Sequence, residues 1–107
     1  MSDTLVPKAL LDGVIRRLDP VEVYLFGSRA RGDAREDSDY DLYVVVDDEG
    51  ADNKRTGRAI AEARHGWRGA VDMIVGGQTR FEHRRKLIGA IEEIISFEGR
   101  RIYVRGQ

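Results

Sequence analysis

Three observations predict an α/β (α+β) chain built on a small mixed β-sheet with helices packed on one face. Short β-branched and aromatic runs, VEVYLF at 21–26, YDLYVVV at 40–46 and AVDMIV at 70–75, alternate with stretches of helical apolar spacing. Glycine, proline or polar clusters bound each run. The 107 residues, 41% of them hydrophobic, suffice for one modest core and a single domain, 1–107.

The first helix is expected from Pro7 to Leu18, because Leu10, Leu11, Val14, Ile15 and Leu18 recur at helical spacing and Pro7 is tolerated in a first turn. Pro20 ends it, and the strand 21–26 runs directly into Gly27-Ser28. SRARGDAREDSD has no apolar periodicity, which predicts an exposed loop with at most a short helical turn at Ser28. The strongest strand, 40–46, follows, and DDEGADN closes it as a solvated turn. Asn53 is a candidate cap for a helix reaching His65, with Gly66 as its left-handed terminator. After the strand 70–75, stopped by Gly76-Gly77, Thr79 and Glu82 fit the capping box of a long helix to Phe97. Leu87, Ile88, Ile91, Ile94 and Ile95 are its expected buried stripe, Gly99 its terminator, and 101–104 a last strand.

Composition excludes several classes of chemistry. Without cysteine there are no disulfides, thiolate metal sites or cysteine nucleophiles. The N-terminus lacks a basic segment followed by an apolar run, and no stretch approaches the roughly 20 apolar residues of a membrane span, so a soluble, cytoplasmic protein is expected. The net charge of −1 conceals an asymmetry: residues 1–53 carry six Lys and Arg against thirteen Asp and Glu, and residues 54–107 twelve against six. The halves should attract each other. Arg80, Arg84, Arg85, Lys86, Arg100 and Arg101 form a candidate docking surface for an acidic protein, or a solvated helix face. A negative chain without a long basic groove argues against a nucleic-acid partner.

Chemistry concentrates at Asp39 and Asp41. Two residues apart at a strand start, their carboxylates share one side of the sheet about 7 Å apart along the strand. Such a pair repels unless a cation lies between, and a hard divalent ion such as magnesium resolves the conflict. Asp72, inside an otherwise apolar strand, is a costly carboxylate to bury alone and is expected to join them. Upstream, Gly27 allows close approach and Ser28 offers a hydroxyl and free backbone N–H groups to a phosphate. A phosphate anchor beside carboxylates is what nucleotidyl transfer requires.

FGSRARGDAREDSDYDLYVVV, with Gly27-Ser28, ten intervening residues and Asp39-Tyr40-Asp41-Leu42, resembles the signature of DNA polymerase β-like nucleotidyltransferases. GSRARG and SDYDL are most similar to the minimal nucleotidyltransferases, and VDMIV and IISFEGRRIY extend the resemblance over nearly the whole chain. Arg35 and Glu36 depart from the smaller or proline-containing loop residues of that pattern. The resemblance implies a polymerase β-like fold with its site on the open face of the sheet. It implies Asp39 and Asp41 as ligands of two magnesium ions, Asp72 as third carboxylate and general base, and Gly27 and Ser28 as triphosphate anchor. It further implies ATP as substrate, AMP transfer to an acceptor, and a HEPN-type partner protein in a toxin–antitoxin pair. Alternatives left open are a non-catalytic interaction module and a small-molecule adenylyltransferase.

Arg29 and Arg31 are candidates for phosphate contact, or for a solvated loop. Tyr43 shares the carboxylates' face and is either core or a stacking platform. His65 and His83 read as surface groups and Trp67 as packing.

Overall fold

The computed structural model describes residues 5–107, so the first four residues of the expected domain lie outside the described residues. The elements in chain order are α1 (Lys8–Leu18), β1 (Glu22–Phe26), α2 (Ser28–Arg31), β2 (Tyr40–Val46), α3 (Ala51–Lys54), α4 (Gly57–Ala63), β3 (Val71–Gly77), α5 (Gln78–Arg84), α6 (Ile91–Glu98) and β4 (Arg100–Val104). The sheet order is β3-β2-β1-β4, with β2 antiparallel to β1, β1 antiparallel to β4, and β2 parallel to β3. The parallel pair needs a crossover, and residues 47–70, carrying α3 and α4, supply it.

The alternation of β-strand side chains sorts β2 into two faces. Leu42, Val44 and Val46 join Val23, Leu25, Met73 and Val75 beneath α1, α2, α3 and α4, with Leu10, Val14 and Leu18 of α1 packed on them. The opposite face is open at the Asp41 end and covered further along, where Tyr43 and Val45 meet Phe81 of α5 and Ile95 of α6. One face is thus covered in full, as expected, and the other by a smaller second cluster.

The structure differs from the expected elements in the second half of the chain. The helix over 53–65 is two helices, and its cap is Thr56, whose hydroxyl accepts from the Ala59 N–H at 3.1 Å, in place of Asn53. Gly66 is not left-handed. β3 continues through Gly76 and Gly77, which extend the register opposite Val45 and Val46.

The long helix over 79–97 is also interrupted. Gly89 takes φ +90°, closed to most side chains, and the chain turns there before α6 begins. Leu87, Ile88 and Ile94 are consequently exposed, Ile88 at 96%, and only Ile95 of the expected stripe is fully buried. Thr79 does not form the capping box; its N–H and hydroxyl both donate to the Asp48 carboxylate in the turn after β2. Gly99 ends α6 in an extended conformation.

The opposed charge of the halves is realised as ion pairs. Arg101 meets Glu22 at 3.1 Å and Arg105 meets Asp47 at 2.9 Å, while Arg17 and Glu62, at 2.5 Å, pair in the opposite sense. The expected basic docking surface is largely engaged within the chain: Arg84 pairs with Glu92, Arg85 with Glu82, and Arg100 donates to the Ala30 carbonyl. Among the described residues no helix is long and apolar enough to cross a membrane.

Candidate active site

Gly27 takes φ +75° and ψ −157°, a region open essentially to glycine. It turns the chain from β1 into α2, and a Cβ built there would collide with Oδ2 of Asp41. The glycine is therefore required twice, by its backbone angles and by the carboxylate against its Cα. The Gly-Ser turn and the Asp-x-Asp segment, ten residues apart in sequence, are in contact.

Asp41 stands opposite Phe26 in the β1/β2 register and opposite Asp72 in the β2/β3 register. Hydrogen-bonded strands lie about 4.8 Å apart, so Asp41 and Asp72 are neighbours on the open face. Asp39, just before β2, is exposed, as is Asp72, and Asp41 is half-buried. Asp72 is thus not the buried carboxylate that its apolar neighbours suggested: Met73 and Val75 turn into the core while Asp72 turns out. Burial pushes the Asp41 carboxyl above its ordinary value, and the charges of Asp72 and Asp39 push it the same way, while Arg31 draws it back. The charges of Asp39 and Asp72 are therefore both felt at Asp41.

The donor set fits a hard divalent cation. It consists of carboxylate oxygens, and a cation would offset both the burial of the Asp41 charge and the smaller repulsion from Asp72 and Asp39. Among the described residues no three Asp, Glu or His side chains converge closely enough to enclose an ion by themselves. A site of one or two carboxylates completed by substrate phosphates is the usual arrangement for magnesium.

Ser28 is half-buried at the start of α2. Arg31 is exposed and meets Asp33 at 3.3 Å. Arg29 is engaged within the chain: Nε and Nη2 donate to the Ser38 carbonyl at 3.1 and 2.9 Å, and Nη2 also to the carbonyls of Glu36 at 3.0 Å and Arg35 at 3.2 Å. Its guanidinium lies 4.1 Å from the centre of the Tyr40 ring, which meets Trp67 edge-on.

Tyr43 is core. It is fully buried against Phe81, and its hydroxyl donates to Oε2 of Glu92 at 2.8 Å. Glu92, only 2% exposed, also accepts from Nε of Arg84 at 3.0 Å. This buried carboxylate was not anticipated, although its i, i+3 spacing to Ile95 puts it on the inward side of α6. Burial raises its pKa, but the hydrogen bonds from Tyr43, its own backbone and Arg84 outweigh that and leave it below the usual range. His65 and His83 are exposed, and Trp67 packs against the main core.

The model of a family described as "Nucleotidyltransferase domain" matches residues 8–105. A crystal structure from Sulfolobus solfataricus, its protein assigned as a nucleotidyltransferase, is 24% identical, covers 94% of this chain and 91% of its own, and superposes with a TM-score of 0.50. A toxin–antitoxin crystal structure with AMP-PNP is 17% identical, covers 95% of this chain and 77% of its own, and has a TM-score of 0.47. No curated protein matches the chain.

Proposed function

The chain belongs to the nucleotidyltransferase domain family, and from that premise we propose that it transfers AMP from ATP to a hydroxyl on a partner protein, releasing pyrophosphate. The observation that carries this reading is the meeting of Gly27, Asp41 and Asp72: the glycine turn, the carboxylate against it and the carboxylate beside that. Asp39 and Asp41, with Asp72, would hold magnesium together with the substrate phosphates, and the metal would supply neutralisation of the triphosphate charge. Ser28 and Arg31 would take the phosphates, a reading supported by the position of Ser28 at the turn and by the effect of Arg31 on the Asp41 charge.

In the transfer, the acceptor oxygen attacks the α-phosphorus, the bond from that phosphorus to the bridging oxygen breaks, and pyrophosphate leaves with the electron pair. The acceptor's proton passes to the Asp72 carboxylate, which stands exposed on the open face where an acceptor can approach. A protein acceptor, of HEPN type in our reading, is favoured by the exposure of Leu87, Ile88, Ile94 and Phe97 within one short stretch.

The test is incubation with α-labelled ATP and magnesium, with and without a HEPN-type protein, following pyrophosphate release and the fate of the label. Label on the added protein, lost in Asp41→Asn, is expected. Binding of that protein without pyrophosphate release would replace the enzyme by a non-catalytic interaction module, and label on a small molecule would replace the protein acceptor.

A further inference from the structure

Between Gly32 and Tyr40 the chain has no hydrophobic side chain except Ala34, and it forms neither helix nor strand. Apolar burial therefore does little to hold this segment, yet Asp39 lies at its end. The carbonyls of Arg35, Glu36 and Ser38 all point at one group, the guanidinium of Arg29, at 2.9 to 3.2 Å. The residue after Asp39 holds the other side of that group, because the Tyr40 ring lies against it at 4.1 Å and Trp67 steadies the ring. Within the segment, the Ser38 hydroxyl accepts the Arg35 N–H at 2.8 Å.

We propose that Arg29 is a positioning residue that fixes the loop before Asp39, and so sets where that carboxylate stands relative to Asp41. The role requires arginine. A planar fork with several donors and a stacking face can serve three carbonyls and a ring at once, which an ammonium cannot. Because Arg29 follows Ser28 on α2, it also ties the glycine-serine turn to the carboxylate segment, so the two halves of the site move as one body.

This inference rests on the transfer reading for its kinetic consequence but not for its structural one. In Arg29→Ala and Arg29→Lys, amide exchange at residues 33–39 of the nucleotide-free protein is expected to quicken at least tenfold while exchange in β2 stays unchanged. In turnover, kcat is expected to fall roughly 10- to 100-fold, the scale seen when a group that orients a metal ligand is lost. The magnesium concentration for half-maximal rate should rise, and KM for ATP should change little. Unaltered exchange over 33–39 overturns the proposal, as does a raised KM at constant kcat, which would make Arg29 a direct phosphate contact. A wild-type protein that transfers nothing would sink the transfer reading alone, since the exchange measurement still decides the clamp.

Discussion

Along β2, the side chains facing α1–α4 are Leu42, Val44 and Val46, each with no exposed surface, whereas the opposite face runs from half-buried Asp41 through Tyr43 to Val45. The first face is uniform and stabilises the fold by apolar burial. The second is graded: repelling carboxylates at one end, a hydrogen-bonded Tyr43–Glu92–Arg84 network next, and apolar packing at the far end. A single strand thus carries Asp41, its carboxyl pushed up by burial and by the charges of Asp72 and Asp39, on one side while its other side is packed without interruption. The physical lesson is that stability and chemistry are separated by strand alternation and need no separate domain.

The comparison is broken most severely at the open end. Asp39→Asn with Asp41→Asn should lower transfer by roughly three orders of magnitude, the scale of losing a principal electrostatic group, while the melting temperature holds or rises as repulsion is removed. Pyrophosphate release and calorimetry on one preparation check both halves of that statement. Asp72→Asn should reduce kcat by about 10² to 10⁴ with ATP affinity retained, as for a general base; an equal fall in affinity would make Asp72 chiefly a metal ligand. On the packed face, Leu42→Ala should cost about 2 to 5 kcal/mol in urea unfolding and leave turnover per folded molecule unchanged.

The smallest effect belongs to the middle of the graded face. Glu92→Gln should cost about 1 to 3 kcal/mol, since the Arg84 guanidinium loses a charged partner. Glu92 in the folded chain lies below its ordinary carboxyl value, so its contribution is fully present above the unfolded-state value and is lost as pH falls through the folded one. The wild-type stability curve should therefore fall more steeply on acidification than that of Glu92→Gln. Parallel curves would assign the network to packing alone.

The legibility of the sequence followed the range of the interactions. β2 appears at the expected residues because its pattern is continuous and its neighbours are polar. Gly27-Ser28 and Asp39-x-Asp41 stand out as local patterns and Asp72 is expected to join them; the fold added that Gly27 lies against Asp41 and that Asp72 stands opposite it in the β2/β3 register. The break at Gly89 escaped because helical periodicity continued across it, a spacing signal insensitive to one residue with positive φ. Thr79 was misread because its partner, Asp48, comes from another element. The roles of Glu92 and Arg29 were missed for the same reason: spacing to Ile95 marks Glu92 as inward, but what a buried carboxylate or a guanidinium does is set by partners distant in sequence or by a loop shape that composition does not fix.

Of the three strand pairings among the described residues, β2 with β3 alone is parallel, and it is the pairing that puts Asp72 beside Asp41. The antiparallel pairs contribute nothing to that encounter, which waits until residues 47–70 have looped over the sheet and closed. Closure of a long connection carries an entropic cost before any contact compensates it, and parallel pairing is correspondingly slow. The Asp41–Asp72 encounter is for this reason later than the β1/β2 hairpin, which closes over 27–39, although the β1/β4 pairing spans a longer stretch still. During refolding from urea, amide protection in the β1/β2 hairpin should return before the ability to release pyrophosphate, and the lag between the two is a clock for the crossover.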